Sequence, residues 1–239
     1  MKCALVTGGS SGIGRAVVQR LLEDGFSVLN LDIKAPSEVA PKERFIQVDL
    51  MDSAAIEAAM QIVVREHNVL YLVNNAGMIR PALLEDTGLE DFRAVCRLNE
   101  EAPMLLLQHL LPGMKKAGFG RVVNISSRAA LGKEVRTAYA ASKAALLGMT
   151  RTWALELARY GITVNAIGPG PIATELFQKG NPPESPRTKR IIETIPVQRL
   201  GKPEDVAHAA AFFLDERSGF TTGQTVYVCG GMTVGLSAA

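Results

Sequence analysis

The sequence predicts an α/β fold, a doubly wound parallel sheet with helices on both faces. Three observations carry this expectation. Short apolar runs alternate with longer segments of helical periodicity from one end of the chain to the other, as they do where a parallel sheet is laid down strand by strand. Aliphatic residues are abundant while aromatics make up only 5%, which suits strands covered on both sides. The 239 residues show no internal repeat and fit an undivided α/β domain, so 1–239 is read as a single dinucleotide-binding and catalytic domain.

The elements follow in order. Cys3 to Thr7 reads as a buried strand, and Ile13 to Glu23 as a helix stopped by Gly25. Ser27 to Leu31 is a second strand, closed by Asp32, and Phe45 to Val48 a third, with Ser53 expected to cap the helix after it. Val69 to Val73 is a fourth strand, Leu89 to Lys116 a long helical region, and Arg121 to Ile125 a fifth strand. Thr137 to Tyr160 reads as a long helix and Ile162 to Ile167 as a sixth strand. Pro203, Glu204 and Asp205 open another helix with acidic residues at its positive end, and Thr225 to Val228 is the last strand. Only Gly180 to Pro186 has the composition of a loop.

Thr7-Gly8-Gly9-Ser10-Ser11-Gly12-Ile13-Gly14 follows the first strand and opens the first helix. Gly8 can make the tight turn, Gly12 lets a phosphate approach the backbone, and Gly14 lets helix and strand pack closely. Ser10, Ser11 and Ile13 complete a turn whose free N–H groups would face a pyrophosphate. A glycine cluster alone is an ordinary turn; between a strand and a helix it marks a Rossmann-type dinucleotide site. Asp32 stands at the end of the second strand with Ile33 beside it. A carboxylate there can accept both ribose hydroxyls of NAD and would repel the extra phosphate of NADP, so NAD is expected and NADP disfavoured. Lys34 is the residue that weakens this preference.

Tyr139 and Lys143 lie four apart in a predicted helix and share a face. An ammonium and a positive nicotinamide ring nearby would favour the phenolate, which leads us to expect a phenol pKa lowered by about three units from its usual value near 10. Tyr139 could then act as base in alcohol oxidation and as acid in ketone reduction. Ser126 and Ser127 end the fifth strand. They point to opposite sides if the strand runs through both, so only one can bind the substrate oxygen.

The turn at Thr7 to Gly14, Asn74-Asn75-Ala76-Gly77 after the fourth strand, Ser127, Tyr139 to Lys143, and Pro169-Gly170 with Thr174 after the sixth strand form an ordered set. In this set the chain resembles the short-chain dehydrogenase/reductase family in its compact single-domain branch. It is similar to β-ketoacyl carrier-protein reductases and to NAD-dependent secondary-alcohol dehydrogenases. The resemblance implies that Asp49 and Leu50 border the adenine and that Asn75, Ala76 and Gly77 line the cofactor. It implies that Lys143 also holds the nicotinamide ribose, and that Pro169, Gly170, Ile172 and Thr174 meet the nicotinamide end. It selects Ser127 for the substrate oxygen, with Ser126 as the alternative, and matches Asn99 to a helix asparagine that holds a water of the proton relay. The sequence offers a physical reason for that last site: Pro103 has no N–H to bond to the carbonyl of residue 99. Two departures stand out. Glu100-Glu101-Ala102 is less apolar than the family pattern, and Cys229 replaces the usual aspartate, which reads as a packing change.

Residues 175–200 correspond to a substrate lid. Leu176, Phe177, Ile191, Ile192 and Ile195 there fit either an apolar substrate or ordinary packing of a helical flap. Arg187, Lys189 and Arg190 read as a solvated face, while Arg80, Arg128 and Arg136 fall in loops around the expected pocket mouth and would favour an anionic substrate, such as an acyl thioester. Leu146, Leu147, Met149, Trp153 and Leu157 on the Tyr139 helix suggest more apolar surface than one chain can bury, and a homotetramer (or homodimer) is expected.

The formal charge of +2 shows no basic stripe for nucleic acid. Cys3, Cys96 and Cys229, and the three histidines, have no metal spacing, so no metal is expected. With only Met1 and Lys2 before the first strand and no apolar run of membrane length, a cytoplasmic protein with no signal peptide and no membrane association is expected. The function read from this sequence is hydride transfer between NAD(H) and a secondary alcohol or ketone, its substrate hydroxyacyl or otherwise anionic. The alternatives are an NADPH-dependent 3-oxoacyl carrier-protein reductase and, in another class, a nucleotide-binding regulatory protein without turnover.

Overall fold

The computed structural model describes residues 2–234. Seven parallel strands form one sheet in the order β3-β2-β1-β4-β5-β6-β7. They are β1 (Cys3–Thr7), β2 (Ser27–Asp32), β3 (Glu43–Gln47), β4 (Tyr71–Asn74), β5 (Gly120–Ile125), β6 (Ile162–Pro169) and β7 (Thr225–Val228). The helices are α1 (Gly12–Glu23), α2 (Ser53–Glu66), α3 (Leu89–Cys96), α4 (Ala102–Ala117), α5 (Thr137–Leu157), α6 (Glu175–Gly180), α7 (Pro186–Glu193) and α8 (Pro203–Leu214).

Alternation along each strand divides the core into two layers. Leu5, Leu29 and Leu72 face α2, α4 and α5, packing with Ile56, Met60, Leu106 and Leu157. Ala4, Val6 and Val28 face the other way, toward Val17 and Leu21 of α1 and Phe213 of α8. Strands buried on both faces need apolar residues at nearly every position, which is why they read as continuous apolar runs. The strand order reverses between β1 and β4, so the crevice lies beyond their carboxyl ends, where the turn after β1 and the Asn74–Gly77 segment meet.

Several boundaries differ from those expected, each for a local reason. β3 begins at Glu43 rather than Phe45, because the Glu43 carboxylate is itself buried and pairs with Arg15 at 2.7 and 2.9 Å. Asp52, not Ser53, caps α2, accepting from the amides of Ala54 and Ala55 at 2.9 and 3.2 Å. β4 begins at Tyr71 rather than Val69, and β6 continues to Pro169. The helix after Thr137 ends at Leu157 and tightens into a 3₁₀ turn over Ala158–Tyr160. The long region from Leu89 is two helices joined by a π-helical turn at Arg97–Glu101. Pro103 explains this break: without an N–H it cannot donate to the carbonyl four residues back, and the backbone widens by one residue instead.

Candidate active site

A cleft of about 790 Å³ opens across the carboxyl ends of the strands, in the upper part of the range of ligand pockets. At one end Gly8, Ser11, Gly12 and Ile13 line it. Gly12 has φ +53°, a left-handed conformation that glycine adopts without strain, and a Cβ there would stand 3.2 Å from Thr174 Cγ2. Gly14 does not line the cleft; a Cβ on it would lie 2.0 Å from the Gly8 carbonyl oxygen, so it is the packing glycine. Ser11, at the start of α1, makes no side-chain cap, which leaves the N–H groups of the first turn for a ligand.

The turn is held from beneath. Thr7 Oγ1 accepts from the amides of Asn75 and Ala76, both at 2.9 Å. The Asn75 side-chain amide donates to the carbonyls of Thr7 and Gly8 at 2.9 and 3.2 Å. Asn75 therefore ties the two crossing segments together as well as lining the cleft. Asp32 accepts from the amide of Ser10 at 3.1 Å and from that of Lys34 at 3.2 Å. It lines the cleft with Ile33, Asp49 and Leu50, whereas the Ser10 hydroxyl turns back to accept from buried Asn30 at 3.2 Å. A cradle that a Cβ would fill, uncapped amides and a carboxylate one strand away suit a dinucleotide.

At the other end Ser127, Tyr139 and Lys143 line the same cleft. Lys143 is buried and donates to the Ile125 carbonyl at 2.8 Å, with Nζ 5.8 Å from the centre of the Tyr139 ring. Both serines border the cleft, but their hydroxyls differ in direction. Ser126 is buried and its hydroxyl donates to the Lys143 carbonyl at 2.7 Å, while Ser127 is half-buried, caps the next turn through Ala129, and sits against the Tyr139 phenol.

Asn99 lies within the π turn, fully buried behind the cleft. Its side chain accepts from the amide of Met78 at 2.9 Å and donates to the Met78 carbonyl and the Ser142 hydroxyl at 3.1 and 2.9 Å. Ser142 in turn donates to the carbonyl of Tyr139 at 2.9 Å. Gly77 is the contact point: a Cβ there would stand 3.2 Å from Asn99 Oδ1 and 3.3 Å from Lys143 Nζ. Ser142 was not foreseen; its only signal is that it lies three residues after Tyr139, on the helix face next to it.

The protein's own groups give the phenol the opposite shift from the one expected. Burial pushes the Tyr139 pKa up, opposed by Ser127 and the charge of Arg136. Burial also pushes Lys143 down from its usual 10.5 to about 8. The lysine gives up hydration for a single carbonyl contact, and desolvation dominates both groups.

Pro169, Gly170, Ile172 and Thr174 line the cleft between its two ends. Cys229 is buried beneath Gly170, where a Cβ would meet the cysteine backbone at 2.8 Å, as a packing role requires. In the lid, Leu176, Phe177 and Ile191 face the cleft, whereas Ile195 is core, packed against Gly230. Arg80 does not line the cleft and pairs with Asp91 at 3.5 Å; Arg128 and Arg136 do, joined by Lys133 and Arg187, which spacing alone did not single out as pocket residues. Among the described residues no cluster of metal-ligating side chains occurs, and no helix is long and apolar enough to cross a membrane.

A family model described as enoyl-(acyl carrier protein) reductase matches residues 8–233. The chain is 36% identical to a 3-oxoacyl-[acyl-carrier-protein] reductase of Thermotoga maritima, over 98% of each chain. Among solved structures, it is similar to the aldohexose dehydrogenase of Thermoplasma acidophilum, with TM-score 0.91, 31% identity, and coverage of 100% of this chain and 96% of that one. It also resembles a blue fluorescent protein from a metagenomic library, solved in complex with NADPH, with TM-score 0.84, 32% identity and 98% coverage of both chains.

Proposed function

The chain belongs to the short-chain dehydrogenase/reductase family, and from that premise we propose that it is an NAD(H)-linked dehydrogenase in which Tyr139 moves the proton. Oxidoreduction of a secondary alcohol or ketone with a nicotinamide cofactor is the family's reaction. One observation supports the assignment of roles above all: Ser127, Tyr139 and Lys143 face the same cleft as the glycine turn and Asp32. When bound, the nicotinamide supplies the hydride acceptor or donor. The residues of the turn, with Asp49 and Leu50, would hold the adenosine and pyrophosphate portions of the dinucleotide, while Asn75 to Gly77 and Pro169 to Thr174 would hold the middle and the nicotinamide end.

Ser127 binds the substrate oxygen and fixes it against the Tyr139 hydroxyl. Because burial keeps that phenol protonated, it is ready to donate to a ketone oxygen; in alcohol oxidation it must first lose its proton. Lys143 places a positive charge beside the ring and binds the ribose. Asn99, through Met78 and Ser142, holds the π turn in place behind them, where its backbone can carry a water of the relay. Replacing Tyr139 by Phe tests these roles. Cofactor binding should persist while kcat falls by about 10²–10⁴-fold; a variant with unchanged turnover would remove Tyr139 from the chemistry.

The preference for NAD is inferred from Asp32, a carboxylate at the end of β2 in the cleft that can accept from ribose hydroxyls and would repel the extra phosphate of NADP. The NADPH-bound structural relative and the nearby Lys34 favour the second reading, an NADPH-linked 3-oxoacyl reductase. Steady-state comparison of NADH and NADPH with one ketone decides between them. We further propose a homotetramer. The three free thiols of Cys3, Cys96 and Cys229 support a reducing, cytoplasmic location.

A further inference from the structure

One group of side chains in the cleft makes no contact assigned above to the proton or the hydride, although the charge of Arg136 reaches the Tyr139 phenol. Arg128, Lys133, Arg136 and Arg187 all line it. They come from four places: the 3₁₀ turn after Ser127, the loop beyond it, the residue preceding α5, and lid helix α7. None of the four makes an ion pair among the described residues. Their neighbours behave differently. Arg80 is matched by Asp91, and Lys189, two residues from Arg187 on the lid, is matched by Glu184 at 3.6 Å. Two nearby cations that do not line the cleft, Arg80 and Lys189, thus have carboxylate partners, whereas the four that line it have none among the described residues.

The carboxylates that line the cleft are Asp32, Asp49 and Glu175. The first two stand at the ends of β2 and β3, on the side of the glycine turn, which leaves Glu175 as the one acid of the lid segment that lines the cleft. Lys133 registers the imbalance: desolvation, and then the charges of Arg128, Arg136 and Arg187, push its pKa below the usual 10.5. Like charges held together in this way repel one another, and an anion between them would convert the repulsion into charge-assisted hydrogen bonds.

We propose that Arg128, Lys133, Arg136 and Arg187 form an oxyanion-binding subsite for the substrate, so that the compound oxidised or reduced carries a carboxylate or phosphate group held between the catalytic wall and the lid. This rests on the dehydrogenase reading above and names its substrate class. Because Arg187 is on α7 and the other three are on the fixed wall, the anion ties the lid to that wall as it binds. The guanidinium forks suit either oxyanion.

Two experiments on the whole chain separate this inference from the reading it rests on. Lys133 and Arg187 are exposed, so the double variant Lys133→Gln/Arg187→Gln should fold. In the first, acetoacetate, acetoacetyl-CoA and neutral ethyl acetoacetate are compared as ketone substrates. The wild type should favour at least one anionic ketone over the ester by about 10–100-fold in kcat/KM, and the double variant should lose most of that ratio. A ratio unchanged by the substitutions, or no anionic preference in the wild type, overturns the proposal. In the second, malonate and inorganic phosphate are tested for thermal stabilisation without any turnover. At least one should raise the Tm of the wild type more than that of the double variant; equal shifts for both overturn the subsite. Failure to transfer hydride to any ketone, with the malonate or phosphate difference intact, would overturn the dehydrogenase reading and leave the subsite standing.

Discussion

Lys143 shows at the level of one residue how the site is bought at the expense of stability. Its ammonium is buried with one carbonyl partner, and its pKa falls from 10.5 to about 8. At 1.36 kcal/mol per unit, holding the charged form there costs about 3 kcal/mol. Replacement by Met removes that cost but leaves the Ile125 carbonyl without its donor, a loss of about 1–3 kcal/mol. Lys143→Met should therefore abolish activity and yet be more stable at pH 7 by about 1 kcal/mol, seen as about 2–4 °C in Tm. The sign with pH follows from linkage. Between pH 8 and 10.5 the unfolded chain holds a proton on this lysine that the folded chain has released, so wild-type stability gains with rising pH. The advantage of the Met variant should shrink across that window; a variant less stable at pH 7, with a deficit that ignores pH, would refute the argument. Asp32 carries a second prediction at this scale. Removing a carboxylate that accepts from a ribose costs about 1.5–3 kcal/mol, so Asp32→Ala should raise the KM for NAD by about 10–100-fold and improve use of NADP; kinetics with both cofactors would show a residue of no consequence if neither changed. The placement of both residues in the cleft was legible in the sequence, because it depends on spacing within one element or on the end of a strand. The direction of the Tyr139 shift was not, since burial is the sum of many distant contacts. Lys133 and Arg187 likewise become pocket residues only when the lid is laid over the α5 entrance.

At the scale of an element, the π turn at Arg97–Glu101 is the most informative departure from regular structure. The missing N–H of Pro103 was visible in the sequence and predicted an interruption, but not its form. A kink, a break and a one-residue widening all satisfy the same missing bond, and the choice depends on what the extra residue touches. Here that is Asn99, which the widened turn directs onto Met78 and Ser142. Strand boundaries were lost for the same kind of reason: Glu43 looks like a loop residue until Arg15 and Asn30 are placed beside it. The π turn predicts that Pro103→Ala, which restores a donor for the regular α bond, lets the helix anneal and draws Asn99 out of register. Displacement of about 1 Å in a proton relay costs up to about 10²-fold, so kcat should fall by roughly that factor with little change in cofactor KM. Circular dichroism should show helix content kept or increased. Full activity in this variant would mean that the turn is maintained by packing and that Pro103 has no part in shaping it.

For the whole molecule the alternating layers were readable because every buried strand repeats the same constraint, but the surface left over was not. The apolar residues expected to project from α5 are largely core: Leu146, Leu147 and Leu157 are buried within the chain. What α5 presents outward is a narrower stripe of Ala141, Ala144, Gly148 and Leu155, the last 85% exposed. Small residues along a helix let a second helix approach closely. A separate apolar surface lies at the other side, where β7 has β6 as its only strand neighbour among the described residues and Phe212, Phe220 and Val226 are exposed. A sheet edge with no further strand among the described residues, flanked by aromatics, invites a partner. Were each of these two surfaces to pair with its own copy about a two-fold axis, as proposed, a tetramer with three mutually perpendicular axes would follow. Sedimentation should accordingly give four chains. Ala144→Glu on the α5 stripe should yield dimers held through the β7 edge, and Phe220→Glu should yield dimers held through α5. A wild type that sediments as a monomer, or one variant that reduces the assembly directly to single chains while the other has no effect, would be incompatible with two independent interfaces.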